Sequence, residues 1–320
     1  MGIRGLNTLI SRYSPDAVTE NSIKHYKGKV FAIDCSILIY KYVHMSKVEN
    51  SHIIGFANRI SFYLKNDILP VFVFDGTPPD AKKNVLQKRQ NNRKRIQDKI
   101  TELEEDLKKE QSLEDRQTTQ DKIEKLNNQV IYVNKYHIIE CKKLLECLGI
   151  PYIQADGEAE KTCVYLKKIN LVDYVVSDDT DTLTFGCENV LKTNIKGNLQ
   201  EITLSSILSS MEMSYQQFVD LCIIAGCDYC PYIPSVGPLT AYNLIKNNKT
   251  IEGVVKLNKY KITEEFDFEN ARKLFMDYSE LSIEKEAFKK SPLNSEELSQ
   301  FLSSLNFKEA TIKKYISTFY

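Results

Sequence analysis

Three short apolar runs in this chain each end on acid. GKVFAID closes on Asp34, ILPVFVFDG on Asp75, and LVDYVVSDDTD on Asp179 and Asp181. Runs this continuously apolar, rich in Val, Ile and Phe, suit strands buried on both faces. Helical stretches separate them, so the expected fold class is α/β, with a central, mainly parallel sheet flanked by helices. ENVLKT, soon after the third run, is a fourth candidate strand. In open sheets of this kind ligands gather outside the carboxyl ends of the strands. All three acidic clusters fall at that end.

Composition adds bounds. The 320 residues are 42% hydrophobic and 27% charged, which is the globular class and not the disordered one. The 43 basic and 43 acidic residues cancel, so the distribution of charge has to be read in place of the total. No run of about 18 apolar residues is present to span a membrane. MGIRGLNTLI lacks the apolar segment of a signal peptide, and Leu6 breaks the myristoylation pattern. The eight cysteines are read as reduced core residues of an intracellular protein, Cys35, Cys163 and Cys222 among them. Cys227 and Cys230 form a lone C-x-x-C, without the second pair or nearby His that a zinc site needs.

Charge is local. Residues 81–99 (AKKNVLQKRQNNRKRIQDK) hold eight Lys or Arg against one Asp, with no Gly or Pro. They read as a helix with a phosphate-facing role. Residues 100–129 continue helical with mixed charge, as a solvated excursion from the core. YHIIECKKLLECLG has apolar residues at helical spacing and stops at Gly149 and Pro151. GIPYIQADGEAEKTC reads as a short strand, a turn and a helix carrying Glu158 and Glu160. SYQQFVDLCIIAGCDYC reads as one helix, SVGP as a turn into the next, and the tail from 264 as helical.

Asp34, Asp75, Glu158, Glu160, Asp179, Asp181 and Asp228 mostly follow apolar runs, so they belong near the edge of the core. Any one of them could simply cap a helix. Gathered together, they would repel strongly unless cations stood between them. Oxygen-only ligands suit Mg²⁺ or Mn²⁺. Two such ions about 3.5–4 Å apart are the arrangement for in-line phosphodiester displacement. Glu158 and Glu160 are two apart and share no face of a regular helix. Both can face one ion only if the helix begins there irregularly, which Gly157 permits.

These residues carry a resemblance that runs over essentially the whole chain. MGIRGL, AIDCSILIY, VFVFDGTPP, ADGEAEKTC, SDDTDTLTFG and LCIIAGCDYCPYIPSVGPLTA resemble, in order, the motifs of the flap endonuclease group of structure-specific 5′ nucleases. The resemblance implies a PIN-like nuclease core with a helical arch and a C-terminal helix-two-turn-helix. It implies a single nuclease domain divided as 1–105 (N-terminal region with the basic helix), 106–135 (arch), 136–225 (internal region) and 226–320 (helix-two-turn-helix and C-terminal helices). It implies hydrolysis of DNA near single-strand/duplex junctions, as a flap endonuclease with 5′→3′ exonuclease activity. The alternatives are a dedicated 5′ exonuclease or a junction-resolving relative.

The resemblance makes the seven acids ligands of two Mg²⁺ ions, with Mn²⁺ able to substitute. It places Lys82 and Arg89 on the scissile phosphate. They stand seven residues apart, hence on one helical face. Tyr40 falls where an aromatic stacks on the base beside the cut, and an ordinary core tyrosine is the competing reading. Lys83, Lys88 and Arg93 extend the DNA-facing charge. Ser235 and Gly237, in the SVGP turn, offer backbone N–H groups to a phosphate, with a monovalent cation as a further ligand there. The implied partner is flapped or branched duplex DNA, met by a monomer in the nucleus of a cell or, for a compact viral member, in host cytoplasm.

Departures from the family are specific. The segment between Tyr40 and Ser51 is about ten residues short, and only Glu49 is acidic in MSKVENSH, so the family's loop for a one-nucleotide 3′ flap is not carried over. Leu239 and Thr240 stand where Lys and Arg are common. The last residues partly fit a sliding-clamp peptide through Ile316, Phe319 and Tyr320. However, Ile312, Tyr315, Ile316 and Phe319 also follow i, i+3, i+4, i+7, an ordinary packing face.

Overall fold

The computed structural model describes residues 2–45, 48–109, 112–130, 133–193, 198–279, 281, 283 and 288–320. Ser46 and Lys47 of the shortened segment, 110–111 and 131–132 of the excursion, and parts of 280–287 in the tail lie outside them.

Among the described residues seven strands form one sheet: β1 (Val18–Asn21), β2 (Val30–Asp34), β3 (Leu69–Phe74), β4 (Tyr152–Gln154), β5 (Tyr174–Val176), β6 (Asn189–Thr193) and β7 (Leu199–Thr203). Their order is β1-β7-β6-β5-β2-β3-β4. β6, β5, β2, β3 and β4 run parallel, while β7 pairs antiparallel with both β6 and β1. The period-two alternation of a strand explains the continuous apolar runs. Phe31 and Ile33 of β2 join Phe72, Phe56 and Leu145 in the core on one face of the sheet. Ala32 joins Val73, Val175, Leu6 and Cys163 on the other. Both faces are covered, so neither set of positions can be polar.

ENVLKT is β6, as expected. β1 and β7 are absent from the sequence reading. β1 is the edge strand, and VTEN has half-buried residues only at its two ends with exposed Thr19 and Glu20 between, which leaves no apolar signal.

The basic stretch opens a helix over Lys83–Lys109, followed by a second over Leu113–Asn127. At 1.5 Å per residue the first is about 40 Å long. It crosses 105/106 without a break because nothing in its sequence interrupts it. Ile100 and Ile123, 1% and 7% exposed, are buried apolar positions on these two otherwise solvated helices. SYQQFVDLCIIAGCDYC is not one helix. The helix is Tyr215–Ala225, capped by Ser214, and Gly226 at φ 120 turns the chain out of it. Asp228 therefore sits in a loop. At the C-terminus, Ile312 and Phe319 of the Glu309–Phe319 helix are buried in the core with Leu298 and Leu302. The apolar spacing there is a packing face, and of the clamp-like residues Tyr320 alone stands free, 98% exposed.

Candidate active site

Strand register assembles the site. Asp34 ends β2, level with Ser177 just past β5, because Ile33 pairs with Val176. Ser177 Oγ accordingly donates to Asp34 Oδ2 at 3.1 Å, and Ser36 N donates to Oδ1 at 3.0 Å. Phe74 pairs with Gln154, which sets Asp75 beside the entry to the next helix. Ala159 N donates to Asp75 Oδ1 at 2.7 Å, and Ser36 Oγ donates to its other oxygen. That helix is Ala159–Lys168. Glu158 is its N-cap with extended backbone (φ −82, ψ 137), and Glu160 lies in its first turn. The irregular start that lets both acids face one region thus comes from the extended cap at Glu158.

Past β5 the chain bends sharply. Asp179 N donates to Ser177 Oγ at 3.0 Å, and Asp181 N donates to Asp179 Oδ1 at 3.1 Å. Asp181 opens a single helical turn, Asp181–Thr184. Asp178 points away, exposed and 3.8 Å from Lys41.

Electrostatics ties these carboxylates into one cluster. Burial pushes Asp34 up to about 7, with Asp75 and Asp179 adding to the shift. Glu160 is pushed well above the carboxylate range by burial, then by Asp34, Asp75, Asp179 and Glu158. Asp181 is raised likewise, by burial, Asp179 and Asp228. Its Oδ1 is buried without a hydrogen-bond partner. Mutual repulsion, desolvation and an orphaned buried oxygen are what a carboxylate set built around cations shows in their absence. The donors are all oxygens, so the set fits a hard cation. The acids do not form a closed cage. Among the described residues no three His, Cys, Asp or Glu groups converge closely enough to hold one ion directly. An ion that keeps much of its water needs no tighter enclosure.

The basic helix closes one side. Lys82 ends the 3₁₀ turn Asp80–Lys82 that leads into it. Its Nζ contacts Glu158 Oε1 and lies 3.5 Å from Asp228 Oδ2. Burial alone would lower the Lys82 pKa, but Glu158, Glu160 and Asp228 outweigh it and hold the ammonium charged. Arg89 donates to both oxygens of Asp228, at 2.9 and 2.8 Å. Lys82 and Arg89 therefore converge on the acids, Lys82 from the 3₁₀ turn and Arg89 from the helix. Lys83, Lys88 and Arg93 are exposed on the same helix, with Lys83 paired to Asp80 at 2.9 Å. Tyr40 is not a core residue. It is 38% exposed on the Cys35–Met45 helix and stacks on His44, with centroids 5.7 Å apart. Ser235 is exposed at φ 65. Gly237, the N-cap of the Pro238–Asn248 helix, has no atom within 4 Å of where a Cβ would sit.

Four residues escaped the sequence reading. Ser36 and Ser177 aim Asp75 and Asp34. Tyr229 donates its hydroxyl to Glu158 Oε2. Gly2 lies so close to the cluster that a Cβ would fall 1.9 Å from Asp179 Oδ1. The signal available for Gly2 was only its place in MGIRGL, with nothing to say which segment it meets.

Comparison with known proteins agrees with this picture. Residues 1–96 match the XPG N-terminal domain and residues 149–228 the XPG I-region. Flap endonuclease 1 of Entamoeba dispar is 37% identical over 338 residues, covering 99% of this chain and 86% of that protein. Flap endonuclease 1 of Homo sapiens is 36% identical over 334 residues, covering 98% and 85%. Among solved structures, the catalytic core of Rad2 in complex with DNA substrate matches with a TM-score of 0.76 at 22% identity, covering 100% of both chains. Flap endonuclease-1 from Methanococcus jannaschii matches with a TM-score of 0.70 at 24% identity, covering 97% of each. These two likenesses establish the shared fold, including the flanked, mainly parallel sheet.

Proposed function

The chain belongs to the flap endonuclease family of XPG-type nucleases, and on that premise we propose that it hydrolyses DNA at the base of 5′ flaps, trimming 5′ ends exonucleolytically as well. The observation that carries this reading is the convergence of Lys82 and Arg89 on a buried carboxylate cluster drawn from five separate segments of the chain. Cations beside paired acids suit a phosphodiester held over metal ions.

Asp34, Asp75, Glu158, Glu160, Asp179, Asp181 and Asp228 would hold the ions, and Mg²⁺ is the natural occupant of an all-oxygen, partly hydrated site. Bound there, Mg²⁺ supplies a lowered pKa for the attacking water and stabilisation of the leaving 3′ oxygen. The remaining work falls to the protein. Lys82 and Arg89 exchange part of their carboxylate contacts for oxygens of the scissile phosphate and hold it in line. Ser36 and Ser177 fix the rotamers of Asp75 and Asp34, and the hydroxyl of Tyr229 fixes Glu158. Tyr40, exposed on its helix, offers a face to a base freed from the duplex end. Lys83, Lys88 and Arg93 guide the single strand along the basic helix, while Ser235 and Gly237 present backbone N–H groups to the duplex. The length of the paired helices Lys83–Lys109 and Leu113–Asn127 favours an enzyme that encloses a 5′ strand over a junction resolvase. The flap endonucleases of Entamoeba dispar and Homo sapiens come from nucleated cells, which supports a nuclear setting for this activity and lends the viral alternative no support.

The test uses labelled 5′-flap, nicked, gapped, blunt and four-way-junction DNAs with Mg²⁺. Cutting at the flap base, with weaker trimming of nicked and blunt ends, is expected. Symmetrical cutting of junctions alone overturns the reading.

A further inference from the structure

Residues 2–5 bridge two parts of the DNA-handling surface. Gly2 abuts Asp179, and Gly5 abuts Pro238, whose Cγ would lie 2.4 Å from a Gly5 Cβ. Three residues reach at most about 11 Å. The carboxylate cluster and the first turn of the Pro238–Asn248 helix are therefore close neighbours, and Arg4 stands between them. Its backbone N–H donates to Gly226 O at 3.0 Å, which pins it beside the loop that carries Asp228. A Cβ on Gly226 would meet Arg4 Cβ at 3.5 Å and Tyr232 Cβ at 3.6 Å, so all three residues pack together at the foot of that loop.

The side chain of Arg4 is exposed. Its guanidinium lies over the Tyr232 ring, 5.7 Å from the centroid, and Tyr232 is itself 59% exposed. A ring face orients a guanidinium without consuming its N–H donors, so the fork stays available for an anion. The adjoining turn is short of charge, because Leu239, 39% exposed, and Thr240 hold the positions after Pro238. Arg4 lies in sequence between Gly2, which abuts Asp179, and Gly5, which abuts Pro238 of the helix that follows the Ser235–Gly237 turn.

We propose that Arg4, oriented by Tyr232, contacts a phosphate of the DNA strand running between the carboxylate cluster and the helix-two-turn-helix, supplying the positive charge that Leu239 and Thr240 lack. This rests on the DNA-cutting reading above. Arg4 acts in holding the substrate and not in the chemical step.

The test measures binding of a labelled 5′-flap DNA to the full chain over a range of salt concentrations without divalent metal, together with steady-state cleavage in Mg²⁺. Arg4→Ala should raise Kd about tenfold, the scale of one charge-assisted hydrogen bond. The slope of log binding constant against log salt should fall by about 0.9, the value for one lost phosphate contact. KM should rise more than kcat falls. Arg4→Lys should keep the slope and recover part of the affinity, and Tyr232→Ala should weaken binding less than Arg4→Ala. Arg4→Gln keeps a polar but shorter side chain without the charge and serves as the check if Arg4→Ala folds poorly. Wild-type Kd and slope in both neutral variants overturn the proposal. A wild-type protein that neither binds nor cuts flap DNA overturns the family reading instead, so the two failures are distinguishable.

Discussion

Arg89 holds both carboxylate oxygens of Asp228 through one guanidinium nitrogen, at 2.9 and 2.8 Å. The contact spans 139 positions and joins the basic helix to the loop beyond Gly226. Lys82 reaches the same acid at 3.5 Å and Glu158 more closely. The two cations thus partly neutralise these acids, and on the proposed reading they would meet a phosphate held over them. Binding of DNA then exchanges one anionic partner for another and exposes no bare charge.

Removing Lys82 should therefore act on the chemical step. For Lys82→Ala we expect single-turnover cleavage at saturating flap DNA to fall about 10²–10³-fold, the cost of one preorganised donor to a developing charge. Arg89→Lys should also lose activity, because a point-charge ammonium cannot reproduce the planar fork. Rapid-quench measurement decides it, and an unchanged rate for Lys82→Ala removes that residue from the phosphate.

The raised carboxyls give a pH dependence with a definite sign. Asp34 stands at about 7, raised by burial and then by Asp75 and Asp179. Glu160 and Asp181 are raised too, each by burial first. A carboxyl raised in the native state stabilises the fold fully below its ordinary pKa of about 4 and loses that contribution as pH rises through its native value. Metal-free protein should lose stability from about pH 5 to 8. Glu252, lowered to about 2 mainly by its hydrogen bond to Arg272, works in the opposite sense but only at lower pH. Metal binds the ionised acids, so Mg²⁺ should restore more stability at pH 8 than at pH 5.5. Urea titrations with and without Mg²⁺ at the two pH values test this, and an equal gain at both counts against the assignment.

A second ion network holds the C-terminal helices together. Asp220 is fully buried, accepts from Ile251 N at 3.1 Å, and is gripped by Arg272, which also reaches Glu252 at 2.9 Å. Arg272→Ala would leave a buried carboxylate without its partner. A loss of about 3–5 kcal/mol is expected, with Arg272→Ala/Asp220→Asn recovering part of it. Equilibrium urea unfolding checks both, and a loss under about 1 kcal/mol in the single variant contradicts the role.

The strands that carry the site were legible because parallel burial leaves a continuous apolar run, and the ligand end of such a run is where Asp34, Asp75 and Asp179 stand. Lys82 and Arg89 were legible as part of the concentrated basic run, although Lys82 proves to lie in the 3₁₀ turn just before the helix that carries Arg89. Asp228 was placed wrongly on a helix, since CIIA and CDYC look continuous and only the φ of Gly226 ends the pattern. Gly2 and Tyr229 could not be read at all. Their partners, Asp179 and Glu158, are 177 and 71 positions away, and local pattern carries no information about such contacts. β1 and β7 were missed for a different reason: β1 is an edge strand that tolerates polar residues, and β7 buries only Leu199 and Ile202, so LQEIT shows no continuous apolar run.

Asp181 is the acid whose removal separates binding from chemistry. Its Oδ1 is buried and unpartnered, and its carboxyl is held well above the usual range by burial, Asp179 and Asp228. Without metal it is therefore a liability to the fold, so Asp181→Ala should melt at or above the wild-type temperature in the presence of chelator. Metal reverses the order. At about a hundredfold excess over its Kd, Mg²⁺ should raise the wild-type Tm by about 5 °C and the variant's by clearly less. Cleavage by Asp181→Ala should fall by several orders of magnitude, while affinity for flap DNA stays within about threefold, since the cations that grip phosphate remain. Melting curves with chelator and with Mg²⁺, set beside binding and single-turnover assays, separate these effects. Retained cleavage in Asp181→Ala, or a wild-type Tm indifferent to saturating Mg²⁺, would remove Asp181 from the metal site.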